Sequence, residues 1–283
     1  MPAAAPAIRP SQPQRSTWFL PREHGATAML IVPILCVAIL ARHWRWSELA
    51  TLIAAFAALA AKDPLVVLAR QRYIWKQPHP ETAAAVRWLA GWLTLLALAG
   101  LVLLLTWPLK ATLAMALGVG AFSAIAITVN VKNRQRSTLF QILSAAALTS
   151  GALATSLSST GTIPLWCWQL WLLLAMQAST GILVVHARLD ARIAATRSLP
   201  PSTGGYRRAA QVAVGVLLTA ALAAATLRHT TIALALLLAA VGYWYDLRSQ
   251  RDPTTLQMPL RRVGQRALTL SSLVAILLIA GFW

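Results

Sequence analysis

Nine apolar stretches, each near the length needed to cross a bilayer, dominate the sequence. They fall at 26–41, 49–68, 86–106, 110–129, 139–157, 166–186, 209–227, 229–245 and 267–283. An α-helix rises about 1.5 Å per residue, so about 20 apolar residues span a hydrocarbon core of about 30 Å. Within hydrocarbon every backbone N–H and C=O must find a partner in its own segment, and runs of this length meet that demand as helices. The expected fold is all-α: a polytopic membrane bundle of nine transmembrane helices. The chain is 58% hydrophobic and only 11% charged, which excludes an ordinary soluble domain and a disordered chain. Residues 1–17 are rich in Ala, Pro, Ser and Gln and read as a disordered tail without the apolar core of a signal peptide, leaving 18–283 as one transmembrane domain.

Charge gives the bundle a direction. Lys and Arg number 25 against 7 Asp and Glu. In a soluble chain that excess would point to nucleic acid, but here it alternates with the runs, and no nucleic-acid partner is expected. The N-terminal segment and the connections after the second, fourth, sixth and eighth runs hold 21 cations, whereas the other connections hold four: Arg42, Arg45, Lys110 and Arg228. Cationic loops stay cytoplasmic, so the N-terminus is expected inside, the C-terminus outside, and the chain in the cytoplasmic (inner) membrane. Trp44, Trp46, Trp107, Trp166, Trp168 and Trp283 lie near run ends, where interfacial anchors sit.

Three cationic connections, 62–85, 187–208 and 246–266, are about 20 residues long, and long connections tend to carry function. The cytoplasmic end is therefore the expected location of a site. Six of the seven carboxylates are there: Glu23, Asp63, Glu81, Asp190, Asp246 and Asp252. Four clusters stand out. Arg22-Glu23-His24 opens the first run; Glu23 suits a helix N-terminus and His24 a proton carrier, or the group is a charged interfacial cap. Lys62-Asp63-Pro64 reads as a cap-and-restart that breaks the second helix. Arg70 and Arg72 follow it; they either converge on an anion through a bend or serve as positive-inside charge. On a helix His186 and Asp190 share one face and Arg188 and Arg192 an adjacent one, an arrangement suited to a phosphate or to an internal ion pair. Lys132 and Arg134 belong to a compact cationic turn suited to an anionic headgroup, specific or not.

Weaker signals complete the reading. Cys36 and Cys167 lack metal-ligand or disulfide spacing and read as small hydrophobes, and no metal ligand is assigned. Gln141, Gln177 and Gln211 suit interhelical hydrogen bonds, and Gly118 and Gly120 suit close helix packing. Thr155 to Thr162 reads as an exposed turn.

Two resemblances enter on these residues. Leu20-Pro21-Arg22-Glu23-His24-Gly25-Ala26, followed by Ala28-Met29-Leu30 and Pro33, resembles the opening signature of the YwiC-like membrane proteins. Lys62-Asp63-Pro64-Leu65 and Ala69-Arg70-Gln71-Arg72 resemble that family's second block. The family supplies an architecture and no reaction. The topology also resembles that of UbiA-type intramembrane prenyltransferases, which place Asp-rich motifs after helices 2 and 6, the connections that hold Asp63 and Asp190 here. That resemblance implies a cytoplasm-facing cavity for an isoprenoid diphosphate or other amphiphile with an anionic head. It implies Glu23, His24, Asp63 and Asp190 as catalytic candidates, and Arg70, Arg72, Lys132, Arg134, His186, Arg188 and Arg192 as ligand-binding candidates. The family uses Mg²⁺. One Asp per connection is an incomplete Mg²⁺ set, and the arginines stand where they would clamp a diphosphate instead. The alternatives are a lipid transporter or flippase, and an assembly partner without catalysis.

Overall fold

The structure, a computed structural model, describes residues 24–77, 80–132, 137–196 and 205–283. The elements are α1 (His24–Ala41), α2 (Trp46–Arg70) with a π-helical turn (Gln71–Trp75), α3 (Thr82–Thr106), α4 (Leu109–Val131), α5 (Thr138–Thr149), α6 (Gly151–Thr160), α7 (Leu165–Thr196), α8 (Gly205–Thr226), α9 (Thr230–Ser249), the short α10 (Pro253–Leu256) and α11 (Leu260–Phe282). α5 and α6 are two halves of one apolar segment, Thr138–Thr160, interrupted at Ser150. Among the described residues eight segments are long and apolar enough to cross a bilayer, and Gly25–Ala41 adds a shorter apolar helix. The nine apolar runs are thus all helical, and the chain is a polytopic helical membrane bundle. The expected tail at 1–17 lies outside the described residues, as do Glu23 and Arg134.

Several expectations are corrected. α2 does not break at Asp63: it runs through Pro64 to Arg70 and the π turn carries it to Trp75. Proline removes one backbone donor, yet Pro64 is buried and the turns on both sides keep their bonds. The long connections are mostly helix as well. α7 extends to Thr196, α9 extends to Ser249, and α10 and the start of α11 fill the last of them. Thr155 to Thr160 is no exposed turn; it lies in α6, where Thr155, Ser156, Ser158 and Ser159 are buried.

The main core joins α1, α6, α7, α8, α9 and α11 through Val37, Leu170, Leu217, Leu236 and Leu278. A smaller cluster of Ala50, Ala99, Leu103, Trp107 and Leu157 holds α2 and α3 against α6. Lipid is as apolar as leucine, so close packing rather than the hydrophobic effect holds such helices together. The glycines show where the backbones approach. A Cβ on Gly242 of α9 would lie 2.7 Å from Leu270 of α11, and one on Gly281 of α11 would lie 2.6 Å from Ile232 of α9. Gly118 and Gly120 are not among them: they face outward on α4, with nothing within 4 Å of an added Cβ. α4 buries only Ala126, so it sits at the periphery.

Contacts between helix ends sort into two groups. The end of α1 meets the end of α11 through Arg42, whose guanidinium lies 3.9 Å from the Trp283 ring centroid. The start of α2, the end of α3 and the end of α6 meet where Ser47 Oγ donates to the Ser158 carbonyl (2.8 Å) and Trp107 Nε1 donates to Ser158 Oγ (2.9 Å). Trp107 is therefore buried within the bundle and not an interfacial anchor, whereas Trp44, Trp46 and Trp283 are widely exposed. At the opposite end Arg70 Nη2 donates to the Asn130 carbonyl of α4 (3.0 Å), and His186 of α7 stacks on Tyr206 of α8, ring centroids 4.9 Å apart. This second end carries most of the arginines.

Candidate functional site

The arginine-rich end is built around α7. Its Arg188 turns into the bundle and is only 2% exposed, with Nη1 donating to the Thr255 carbonyl of α10 at 2.9 Å. Pro253 supplies the fixed φ of a first helical residue, and Asp252 caps the turn. The Asp252 carboxylate accepts the Thr254 N–H (3.0 Å) and the hydroxyls of Thr254 and Thr255 (2.7 Å each). Those donors, the Thr254 hydroxyl first, hold the Asp252 carboxyl below the usual aspartate range. Gln250 Nε2 donates to the Val184 carbonyl (3.1 Å), so the α9–α11 connection is fastened to α7 at two points. Asp246 of α9 acts electrostatically on both Arg188 and Arg266.

Two grooves open beside these groups. One, of about 510 Å³, runs along α11 over Arg262, Gln265, Arg266, Thr269, Leu270 and Leu273. Steps of three and four residues put all six on one helix face. The lining changes from guanidinium through amide and hydroxyl to leucine over about 16 Å, at 1.5 Å per residue. The other, of about 490 Å³, lies at the end of α2 and is lined by Leu68, Gln71, Arg72, Lys76 and Gln77. Gln71 Oε1 accepts from the Thr82 hydroxyl, and the Lys76 N–H closes the π turn on the Gln71 carbonyl at 2.9 Å, with Lys76 in the left-handed region.

The residues singled out in the sequence fall into separate groups. Arg72 lines the α2 groove; Arg70, two residues on from Leu68 and on a different face, binds α4. Asp63 is half-exposed with Lys62 Nζ 3.9 Å from it. Lys132 is exposed just beyond α4. His186 pairs with Tyr206, and Arg188 with Thr255. Arg192 and Asp190 follow one turn on, partly buried on α7. α2 and its π turn pack on α3, α4, α6 and α1, whereas α7 packs on α5, α8, α9 and α6. Of His24, only the backbone, at the start of α1, is described. Sequence reasoning missed Asp246, Gln250, Thr255, Arg262 and Arg266 as the groups around Arg188 and the α11 groove. The signal was the length and charge of the 246–266 connection, which was noted without a partner.

Mg²⁺, implied by the prenyltransferase resemblance, does not fit the described residues. Asp63 has a lysine beside it, Asp246 faces two arginines, and no three acids, histidines or cysteines gather around one point.

Nine apolar helical segments with their arginines gathered at one end define a multi-pass α-helical membrane protein. Over residues 20–156, from the approach to α1 into α6, the chain matches the family described as YwiC-like protein. That stretch contains both sequence blocks that carried the resemblance. Arg188 and the α11 groove lie beyond the match. No curated protein and no solved structure matches the chain.

Proposed function

We propose that this protein binds a long-chain amphiphile with an anionic head, an isoprenoid or a related lipid, at the arginine-rich end of its bundle. The observation that carries the reading is the α11 groove, where two arginines stand above a hydroxyl and two leucines on one helix face. A phosphate or diphosphate takes the guanidinium forks, which offer paired donors and a permanent charge, and the chain follows the leucines into the lipid. Arg72 and Lys76 give the α2 groove the same sign of charge. On this reading arginine supplies the charge neutralisation that metal supplies in the prenyltransferases, and Arg188 acts through position. Its bond to Thr255 fixes the connection from which Arg262 and Arg266 project. The alternation of cationic connections supports a cytoplasmic position for this end, with the C-terminus outside.

Native mass spectrometry of the detergent-purified protein tests the reading, with an isoprenoid diphosphate and an anionic phospholipid added in turn. Wild type should retain one of them. The pair Arg262→Ala/Arg266→Ala should lose it, while Arg207→Ala/Arg208→Ala, which removes the same charge from α8, should keep it. Equal retention in both pairs, or equal loss, would overturn the site.

A further inference from the structure

The seventh carboxylate, Glu48, lies at the other end of the bundle, in the first turn of α2. It is 3% exposed, and neither of its oxygens makes a hydrogen bond. A glutamate at this third helical position often reaches back to the N-cap N–H; here the Arg45 N–H lies close enough to favour the carboxylate, but not in the geometry of a full hydrogen bond. The surroundings are polar without being charged. Ser47, Thr51 and Ser158 are buried with it. Thr51 Oγ1 and Ser158 Oγ lie 2.5 Å apart, Thr51 Oγ1 reaches the Ser47 carbonyl at 2.9 Å, and Trp107 Nε1 donates to Ser158 Oγ. α6 adds buried Thr155, Ser156 and Ser159.

The elements packed on α2 bring little counter-charge. α6 and the second half of α3 have no ionisable residue, α4 begins with Leu109 and Lys110, and Arg42, His43 and Arg45 lie in the α1–α2 connection. Arg45 acts on Glu48 electrostatically but is exposed, so water screens it. A buried carboxylate with one weak backbone donor and one screened cation is costly to hold charged, and in a membrane protein such a group points to a site.

We propose that Glu48, with the hydroxyl oxygens of Ser47, Thr51 and Ser158, binds an exchangeable monovalent cation, a proton or a sodium ion, at the end of the bundle remote from the arginines. Each hydroxyl spends its one hydrogen within the cluster and keeps lone pairs to offer. One carboxylate matches one positive charge, whereas a divalent ion would need more anionic oxygen. This inference is independent of the amphiphile reading.

The purified protein is compared with Glu48→Gln in two measurements. Thermal unfolding is followed in sodium chloride and in choline chloride at equal ionic strength. Infrared difference spectra are taken across a pH series for the C=O stretch of a protonated carboxyl group. A sodium occupant raises the wild-type midpoint in sodium over choline, and Glu48→Gln abolishes the difference. A proton occupant gives wild type a protonated-carboxyl band at neutral pH that fades as pH rises and is missing from Glu48→Gln. Should that variant fail to fold, Ser158→Ala weakens the sodium shift or moves the pH at which the band fades. Wild type showing neither response, or Glu48→Gln or Ser158→Ala responding as wild type does, would overturn the proposal.

Discussion

Gly181 on α7 faces the phenol of Tyr243 on α9, and a methyl group there has no room. A Cβ at this position would lie 2.8 Å from Tyr243 Oη and 3.3 Å from Cζ, well inside the roughly 3.5 Å of ordinary contact. A flexible side chain would move away, but Tyr243 is held. It is 3% exposed, and Gln177 Nε2 donates to its oxygen at 2.6 Å while also donating to Ser271 Oγ of α11 at 2.8 Å. Overpacking of this kind costs about 1–3 kcal/mol. Breaking the Gln177 bond to make room adds about 0.6 kcal/mol, the typical value for an interhelical hydrogen bond in a membrane protein. Gly181→Ala should therefore destabilise the protein by about 2–3 kcal/mol. The sharper expectation is a sign reversal. Tyr243→Phe alone loses the hydrogen bond and costs about 0.6 kcal/mol. In the Gly181→Ala background it removes the clashing oxygen, leaves ring carbons at 3.3–3.4 Å, and should restore at least half of the lost stability. Reversible unfolding of the four proteins in mixed micelles measures the cycle. Additive effects of the two substitutions would refute the packing argument.

Gly118→Ala should be neutral, or stabilising by up to about 1 kcal/mol through helix propensity, because nothing lies within 4 Å of the added methyl; the same unfolding assay checks it. Arg188→Met leaves the Thr255 carbonyl without its donor and the partly buried Asp246 with Arg266 as its remaining cation, and should cost about 1–3 kcal/mol, with earlier proteolysis in the α9–α11 connection. Asp252→Ala should speed amide exchange at Thr254. In wild type the Asp252 carboxyl titrates below its unfolded value near 3.8, so the cap's contribution is complete above that pH and is lost as pH falls through the lower folded value; exchange at Thr254 should stay slow down to that range.

The segments were legible because their signal is local. An apolar run of spanning length needs no partner to be recognised, and all nine became helices. Helix ends were less legible. The chain leaves hydrocarbon at Lys62 or Ala187, but backbone hydrogen bonding does not stop with the lipid, and α2 and α7 continue until Trp75 and Thr196. Partners were least legible. Helical spacing put Arg188 on one face with Arg192, beside the His186–Asp190 face, whereas the groups that meet Arg188 come from α9 and α10, more than fifty residues on. Gln177 carried the right chemistry, an interhelical hydrogen bond, without naming Tyr243 or Ser271. Gln211 shares its residue type yet is exposed. Composition identifies which side chains need partners; only packing decides which of them turn inward.

The two ends of the bundle solve the burial of polar groups in opposite ways, and the difference bears on function. At one end α7, α9 and α11 are tied by the Gln177–Tyr243–Ser271 bonds, by the Arg188–Thr255 and Gln250–Val184 bonds, and by the close approach at Gly242. A groove along α11 therefore sits on a rigid support, which keeps Arg262 and Arg266 at a fixed spacing for a headgroup. At the other end hydroxyls satisfy one another and leave a single buried carboxylate with little counter-charge. α2 connects the two, with Glu48 in its first turn and the Arg72–Lys76 groove just past its last, about 36 Å apart at 1.5 Å per residue. Its neighbours α3 and α4 bury little within the bundle, so α2 lies on the side nearer the periphery. If occupancy of Glu48 shifts α2 along its axis, the α2 groove moves with it and the α11 groove does not. A cation dependence of headgroup binding that is abolished by Arg72→Ala and untouched by Arg262→Ala would reveal that coupling; the reverse pattern would route it to the α11 groove and refute the shift of α2, and headgroup binding unaffected by the cation would show the two ends to be independent.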